Sequence, residues 1–349
     1  MGPTPRSSSA LPPDPNPRGR RIARILVGCA VVGVLLAGGV AGGDGLWTYV
    51  LARPGPLPKA AAVIVPRGST TQVATALHDA GVLSHPWLLK AAAFATQGDG
   101  PLHAAEFAFP AHASIDQVLS VLRTARPVQH QLTIPEGLTA QQITAIFKQA
   151  DAATGSPGPI AEGSVLPQTY DYERGTDRAA LVDRAKAAME KVLRTAWANR
   201  APGLPLASPR DALILASIVE RETAKPEERA HVAAVYLNRL RRGMRLDADP
   251  TVIYAASEGL GVLDRPLSKA DLRRDDPYNT YRATGLPPGP ICSPGRDAIE
   301  AVLHPADSDD LYFVADGSGG HVFSHDYAEH DAAVARWRAL NGGPSRKTD

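Results

Sequence analysis

From Ile25 to Gly43 the chain carries no charged or strongly polar side chain. A helix of those 19 residues, rising about 1.5 Å per residue, nearly crosses a bilayer core of about 30 Å. Arg18, Arg20, Arg21 and Arg24 precede the run and Asp44 follows it, so the positive-inside bias predicts a cytoplasmic N-terminus, with everything after Leu46 outside. Trp47 and Tyr49 then stand where interfacial aromatic side chains belong. Residues 1–24 are rich in Pro, Ser and Arg and poor in bulky apolar groups, a composition that cannot bury enough surface to fold and reads as a disordered leader. The Gly/Ala-rich end of the run also fits a processing site, which leaves a cleaved signal peptide as the competing reading, although the leader is long for a signal n-region. In this topology Cys29 and Cys292 cannot meet as a disulfide. A formal net charge of +1 over 349 residues gives no electrostatic case for nucleic acid, so partners must be read from sites.

Beyond the run, residues 44–60 read as a linker, with Pro54, Pro56 and Pro58 making it stiff and extended. Val63 to Val65 then forms a strand candidate and Pro66-Arg67-Gly68 a turn. Ser69 is a helix N-cap ahead of an apolar stripe of Val73, Ala76, Leu77 and Ala80 that ends at Gly81. Ile134 to Thr139 repeats this turn pattern and leads into a second helix, Gln141 to Phe147, so 61–150 reads as one small α/β region. A Gly/Ser/Pro/Ala-rich loop from Asp151 to Pro159 separates it from a larger region, 160–342, with a short tail at 343–349. Within the larger region Arg178 to Asn199 reads as a long helix, with Ala180, Leu181, Ala185, Met189, Val192 and Leu193 on its apolar side.

The chemistry concentrates after Ser208. Ser208, Pro209 and Asp211 supply an N-cap, a first-turn proline and an acidic third position, so a helix is expected to run from there towards Lys225-Pro226. Leu215, Ile218, Val219 and Glu222 fall at i, i+3, i+4 and i+7, which makes Glu222 an extension of the buried stripe. A carboxyl on such a face loses hydration, and its pKa rises towards the range where it can give up a proton near neutrality. Glu220 projects from a different face among smaller residues and is expected to be the less desolvated of the two. The same spacing also fits an amphipathic helix that ends in two solvated acids. Pro226 opens the next helix, which runs to Arg242 before Gly243, with Val232, Ala233, Tyr236, Leu237 and Leu240 as its packing stripe. Asn238 borders that stripe with both a donor and an acceptor, as recognition of an acetamido group requires, and it fits equally well as a capping or core-bridging amide. Asp249-Pro250-Thr251 begins a turn that Tyr254 follows. Tyr278, Asn279, Thr280 and Tyr281 interleave rings with hydrogen-bonding groups, a mix suited to sugar faces and also common in cores. Gly285 to Ile291 is too rich in proline for a helix or central strand. Leu311 to Ala315 and His321 to Phe323 read as a hairpin that puts His321 and Phe323 on one face. His321, His325 and His330 match no zinc spacing, and no nucleophile elbow, phosphate loop or dinucleotide fingerprint is present, so neither metal nor cofactor is expected.

Four blocks, SIVERET (217–223), VYLNRLRRGMRLDADPTVIY (235–254), YNTYRATGLPPGPICSPG (278–295) and LYFVADGSGGHVFS (311–324), resemble in the same order the MltG-type (YceG-like) endolytic murein transglycosylases. Glu162 to Tyr170, reading EGSVLPQTY, is similar to a further family segment in which an aspartate is common where Gln168 stands. The resemblance implies a single N-terminal transmembrane helix, a LysM-like subdomain and an α+β catalytic domain outside the membrane. It also implies internal cleavage of peptidoglycan glycan strands by one glutamate, corresponding to Glu222. The resemblance places the segment of Asp249, Thr251 and Tyr254 in the cleft around that acid; with the residues read above, Asn238, Tyr278, Asn279, Thr280, Tyr281 and His321, these are the candidate substrate-binding residues, and Glu162 is either a site-lining residue or a surface acid. The partners it implies are glycan strands, the membrane through one helix, penicillin-binding proteins and the elongation machinery. A non-catalytic glycan-binding scaffold and a hydrolase with Asp249 as second carboxylate are the alternatives.

Overall fold

The computed structural model describes residues 43–340. The leader, the uncharged run up to residue 42, Cys29 and the tail lie outside the described residues. Among the described residues no helix is long and apolar enough to cross a membrane. The fold is α+β, and its strands form three separate two-stranded antiparallel sheets among the described residues. Contacts divide the chain into two compact units, Met1–Val128 and Gln129–Asp349.

In the first unit a helix over residues 43–52 (α1) precedes the order β1 (Ala61–Ile64), α2 (Thr70–Asp79), α3 (Pro86–Ala95), β2 (Glu106–Phe109) and α4 (Ile115–Thr124). Ser69 caps α2 reciprocally with Gln72, Ser114 caps α4 in the same way with Gln117, and Pro86 occupies the first turn of α3. β1 and β2 pair from Ala61↔Phe109 to Ile64↔Glu106. Leu77, Leu89, Phe107, Phe109, Val118 and Leu122 fill the core between sheet and helices. The expected linker is not a free tether. Leu51 and Leu57 are buried in this core, the Gly55 N–H donates to the His112 carbonyl at 3.1 Å, and the His112 N–H donates to the Leu57 carbonyl at 2.7 Å. The first part of the expected linker is helical, in α1, whose end packs Leu51 into the core; beyond it the prolines keep the chain extended, and burying Leu57 gains more than leaving it in solvent.

The second unit begins with β3 (Gln129–Thr133) and α5 (Ala140–Lys148), followed by β4 (Thr169–Glu173) and α6 (Arg178–Ala198). β3 pairs with β4, Leu132 opposite Tyr170, so the second strand-turn-helix belongs here and not with the first unit. Ile143, Phe147, Tyr170, Tyr172, Leu181, Val182 and Ala185 form its core. The Gly/Ser/Pro/Ala-rich segment expected to separate two regions is instead stitched down. Arg178 donates to the carbonyls of Phe147, Ala150 and Gly155 at 2.8–2.9 Å, while Ala152 and Ala153 are buried. Val182, not Ala180, completes the inner stripe of α6.

The rest of this unit packs around α7 (Pro209–Glu222). Its N-terminus carries the expected reciprocal cap between Ser208 and Asp211. From Ile214 to Val219 every residue is buried, so the helix is enclosed on nearly all sides instead of showing one solvated face. Beside it lie α8 (Arg229–Arg241), entered through a single 3-10 turn at Pro226–Glu228, then α9 (Asp249–Ala256) and α11 (Arg296–Leu303), with the short α10 (Lys269–Leu272) against α9. Gly243 takes φ +65 after α8, the left-handed conformation that ends helices. The hairpin β5 (Tyr312–Ala315) and β6 (His321–Ser324), in the expected place, precedes α12 (Tyr327–Leu340).

Candidate active site

The last residue of α7, the middle of α8, the segment from Leu246 to Asp249, Tyr281 and the β5–β6 hairpin surround a cleft of about 250 Å³. Four of the expected site residues meet in it, namely Glu222, Asp249, Tyr281 and His321. The cap at Ser208 and the apolar body of α7 fix where its C-terminal end emerges, and Thr223 leaves the helix in extended conformation. Glu222 is therefore presented at a helix end, where its carboxyl reaches the cleft while its stem stays packed. Its Oε2 is out of contact with solvent and has no hydrogen-bond partner. Burial, reinforced by the negative charge of Asp249, pushes the Glu222 carboxyl from 4.5 up to about 7, against the opposing pull of a hydrogen bond from the Tyr236 hydroxyl and the positive charge of Arg239. Across the cleft the Tyr281 hydroxyl donates to Asp249 Oδ1 at 2.7 Å, which holds that carboxylate in place.

Glu220 corrects the expectation drawn from its helical face. Its side chain is only 5% exposed, so it is desolvated as well. Burial raises its pKa, but Oε2 accepts the Gly295 N–H at 2.8 Å and Oε1 faces Arg229 at 3.4 Å, and both contacts pull it back. Partnering, not burial, distinguishes the two glutamates. A carboxylate with a backbone donor and an arginine is a structural tie, whereas one with an unpartnered buried oxygen is poised to hold a proton.

Other expected contacts lie elsewhere. The Asn238 amide donates to the carbonyls of Ser308 and Asp310 at 2.8 and 3.0 Å and accepts from Arg241 at 2.7 Å, so it bridges α8 to the strand approach with both N–H groups taken. Thr251 and Thr280 are buried and share a 2.9 Å hydrogen bond, which ties the start of α9 to the 280 segment. The buried Asn279 amide donates to the carbonyls of Asp271, Leu272 and Arg274, closing the end of α10. Tyr254 and Tyr278 pack against each other, ring centroids 4.9 Å apart, and Tyr254 donates to Glu162 at 3.3 Å. None of these six side chains lines the cleft. Glu162 is no surface acid: it also accepts the Ala140 N–H at 2.9 Å, and burial pushes it up to about 7 in spite of these bonds.

The cleft adds residues that the sequence did not single out as functional. Tyr236 and Arg239 follow Val232 at i+4 and i+7, the spacing that marked Glu222, and that was the available signal. Arg239 is buried and donates to the carbonyls of Leu311, Leu246 and Arg245 and to Asp247 at 2.7–3.2 Å, so one guanidinium ties α8 to two further segments beside the cleft, 245–247 and the start of the hairpin. Asp247 holds φ +50, a left-handed conformation rare outside glycine and enriched at functional sites. Among the described residues no three His, Cys, Asp or Glu side chains are grouped as a metal site.

A YceG-like family model matches residues 63–336. An endolytic murein transglycosylase of Streptococcus pneumoniae is 31% identical over 358 residues, covering 86% of this chain and 63% of that protein. A protein of the same description from Bacillus subtilis is 45% identical over 125 residues, 36% of this chain and 34% of its own length. The chain thus spans less than two thirds of either relative. A crystal structure of a yceG-like protein from Listeria monocytogenes is 28% identical and covers 79% of this chain and 99% of its own, with a TM-score of 0.48.

Proposed function

The chain belongs to the YceG-like family, and from that premise we propose that it is an endolytic lytic transglycosylase of peptidoglycan. It cuts the bond between N-acetylmuramic acid and N-acetylglucosamine within nascent glycan strands, leaves 1,6-anhydro ends and so terminates strand elongation. The observation that carries this reading is the Glu222 carboxyl, buried, unpartnered at Oε2 and pushed to about 7 on the wall of a polar cleft. The description shared by the relatives supports the same substrate and reaction.

A carboxyl with that pKa is protonated in a useful fraction near neutrality and gives a competent base once ionised. Glu222 first donates its proton to the glycosidic oxygen as that bond breaks. It then accepts the proton of the muramic acid 6-hydroxyl while the hydroxyl oxygen closes on the anomeric carbon. One proton is given and one taken back, and no water is consumed. Positive charge on the sugar in the transition state is met by Asp249, which Tyr281 orients.

The enzyme is anchored by the run 25–43 with its N-terminus in the cytoplasm, a topology supported by the arginines before that run. The strand-helix-helix-strand order of the first unit supports a LysM-like fold that grips the same glycan. Penicillin-binding proteins and the elongation machinery are its expected partners. The test is to digest purified glycan strands with the full chain and weigh the ends. Anhydro ends, one water lighter than hydrolysed ends, support transglycosylation, and an intact polymer sinks it. Because Asp249 shares the cleft with Glu222, hydrolysis is the second reading, with Asp249 activating water, and ends of full mass would select it.

A further inference from the structure

Glu228, at the close of the 3-10 turn before α8, holds one residue of the hairpin with both carboxylate oxygens. Oε1 accepts the His321 backbone N–H at 3.1 Å, and Oε2 lies 2.6 Å from His321 Nδ1. Both side chains are largely out of water, and the Phe313 ring meets the imidazole edge-on, centroids 5.3 Å apart. Burial raises the Glu228 carboxyl, but the hydrogen bonds from the His321 side chain and backbone, with the positive charge of Lys225, outweigh it and hold the group below its ordinary range. Glu228 is therefore an anion with no proton to give. The proton of the 2.6 Å contact belongs to Nδ1, and of the two neutral tautomers this contact selects the one whose lone pair is on Nε2.

We propose that Glu228 is a positioning residue for glycan binding: it fixes the His321 tautomer so that Nε2, the ring atom Glu228 does not use, is a hydrogen-bond acceptor for a sugar hydroxyl or acetamido N–H in the cleft. The inference rests on the glycan reading of the cleft and gives one of its walls a definite polarity.

Glu228→Gln separates this role from simple packing. The backbone N–H of residue 321 is always a donor and claims the amide oxygen, which leaves the amide NH₂ facing Nδ1 and forces the proton onto Nε2. Nitrogen NMR of the histidine-labelled full chain, with the His321 signals identified by their loss in His321→Gln, is expected to show Nδ1–H in the parent and Nε2–H in Glu228→Gln. The variant's KM for purified glycan strands is expected to rise about tenfold, the worth of one hydrogen bond, with kcat little changed. Glu228→Ala, which leaves no group to choose between the nitrogens, is expected to show both tautomers and a smaller rise. An Nε2–H parent, an unchanged tautomer in Glu228→Gln, or a changed tautomer with unchanged KM overturns the proposal. Binding of glycan to the inactive Glu222→Gln chain is measured alongside. If the parent and that chain both ignore glycan, the glycan reading fails and the role given to Nε2 fails with it, whatever the tautomer.

Discussion

Glu222 and Glu220 stand two positions apart on α7, and both have left water, yet they are expected to respond oppositely to the same substitution. Glu222→Gln removes an unpartnered buried oxygen together with the proton donor. Cleavage is expected to fall by about 10²–10⁴-fold with the fold intact, as read by product mass and the unfolding midpoint. Glu220→Gln weakens the ties to Gly295 and Arg229 and is expected to cost about 1–2 kcal/mol of stability while retaining more activity, as measured by denaturant unfolding. A dead Glu220→Gln beside an active Glu222→Gln would reverse the assignment. The pH dependence follows from the raised pKa. Protonated Glu222 persists as pH rises past 4.5 and is lost through about 7, so activity is expected to decline on the alkaline side with an apparent pKa near 7. For stability the sign is opposite to that of an ion-paired acid. The penalty for ionising Glu222 in the fold is absent below 4.5, grows as pH rises, and is complete above about 7. Glu222→Gln is accordingly expected to match the parent in stability at about pH 4 and exceed it at about pH 8, and a constant difference between the two would refute the burial argument.

At the scale of elements, α8 does most to shape the cleft. Val232, Ala233 and Leu237 pack in the core, Tyr236 and Arg239 reach the cleft wall, and Asn238 braces the helix against the approach to β5. Asn238→Ala is therefore expected to cost roughly 2–3 kcal/mol, since two carbonyls and Arg241 lose a buried partner. The glycan KM at a temperature well below unfolding should stay unchanged. A raised KM with unchanged stability would restore the acetamide role suggested by the sequence. The same reasoning separates the 278–281 block. Tyr281 lines the cleft, while the Asn279 amide closes the end of α10 and the Thr280 hydroxyl meets Thr251 and the Ala248 N–H, so these two fix the backbone around the site.

At the scale of the whole molecule, the described part is two units with separate cores, and the proposed anchor places both outside the membrane. Protease added to intact spheroplasts is expected to digest the chain beyond residue 43, and a protected C-terminal half would overturn the topology and the substrate together. The sequence alone determined what depends on neighbours along the chain. The start of α7 at Ser208, the stop after α8 at Gly243, the β5–β6 hairpin and the placing of Glu222 on a buried stripe all follow from caps, turns and periodicity, which act over a few residues. Only the tertiary structure decided what depends on distant segments. It docked the end of α1 through Leu51 and the proline strap through Leu57, paired β3 with β4 across the expected boundary, and gave Glu220 the Gly295 N–H while leaving Glu222 Oε2 alone. Periodicity reports that a side chain is buried. It does not report what the side chain meets there, and for a carboxyl that difference separates a structural tie from an acid.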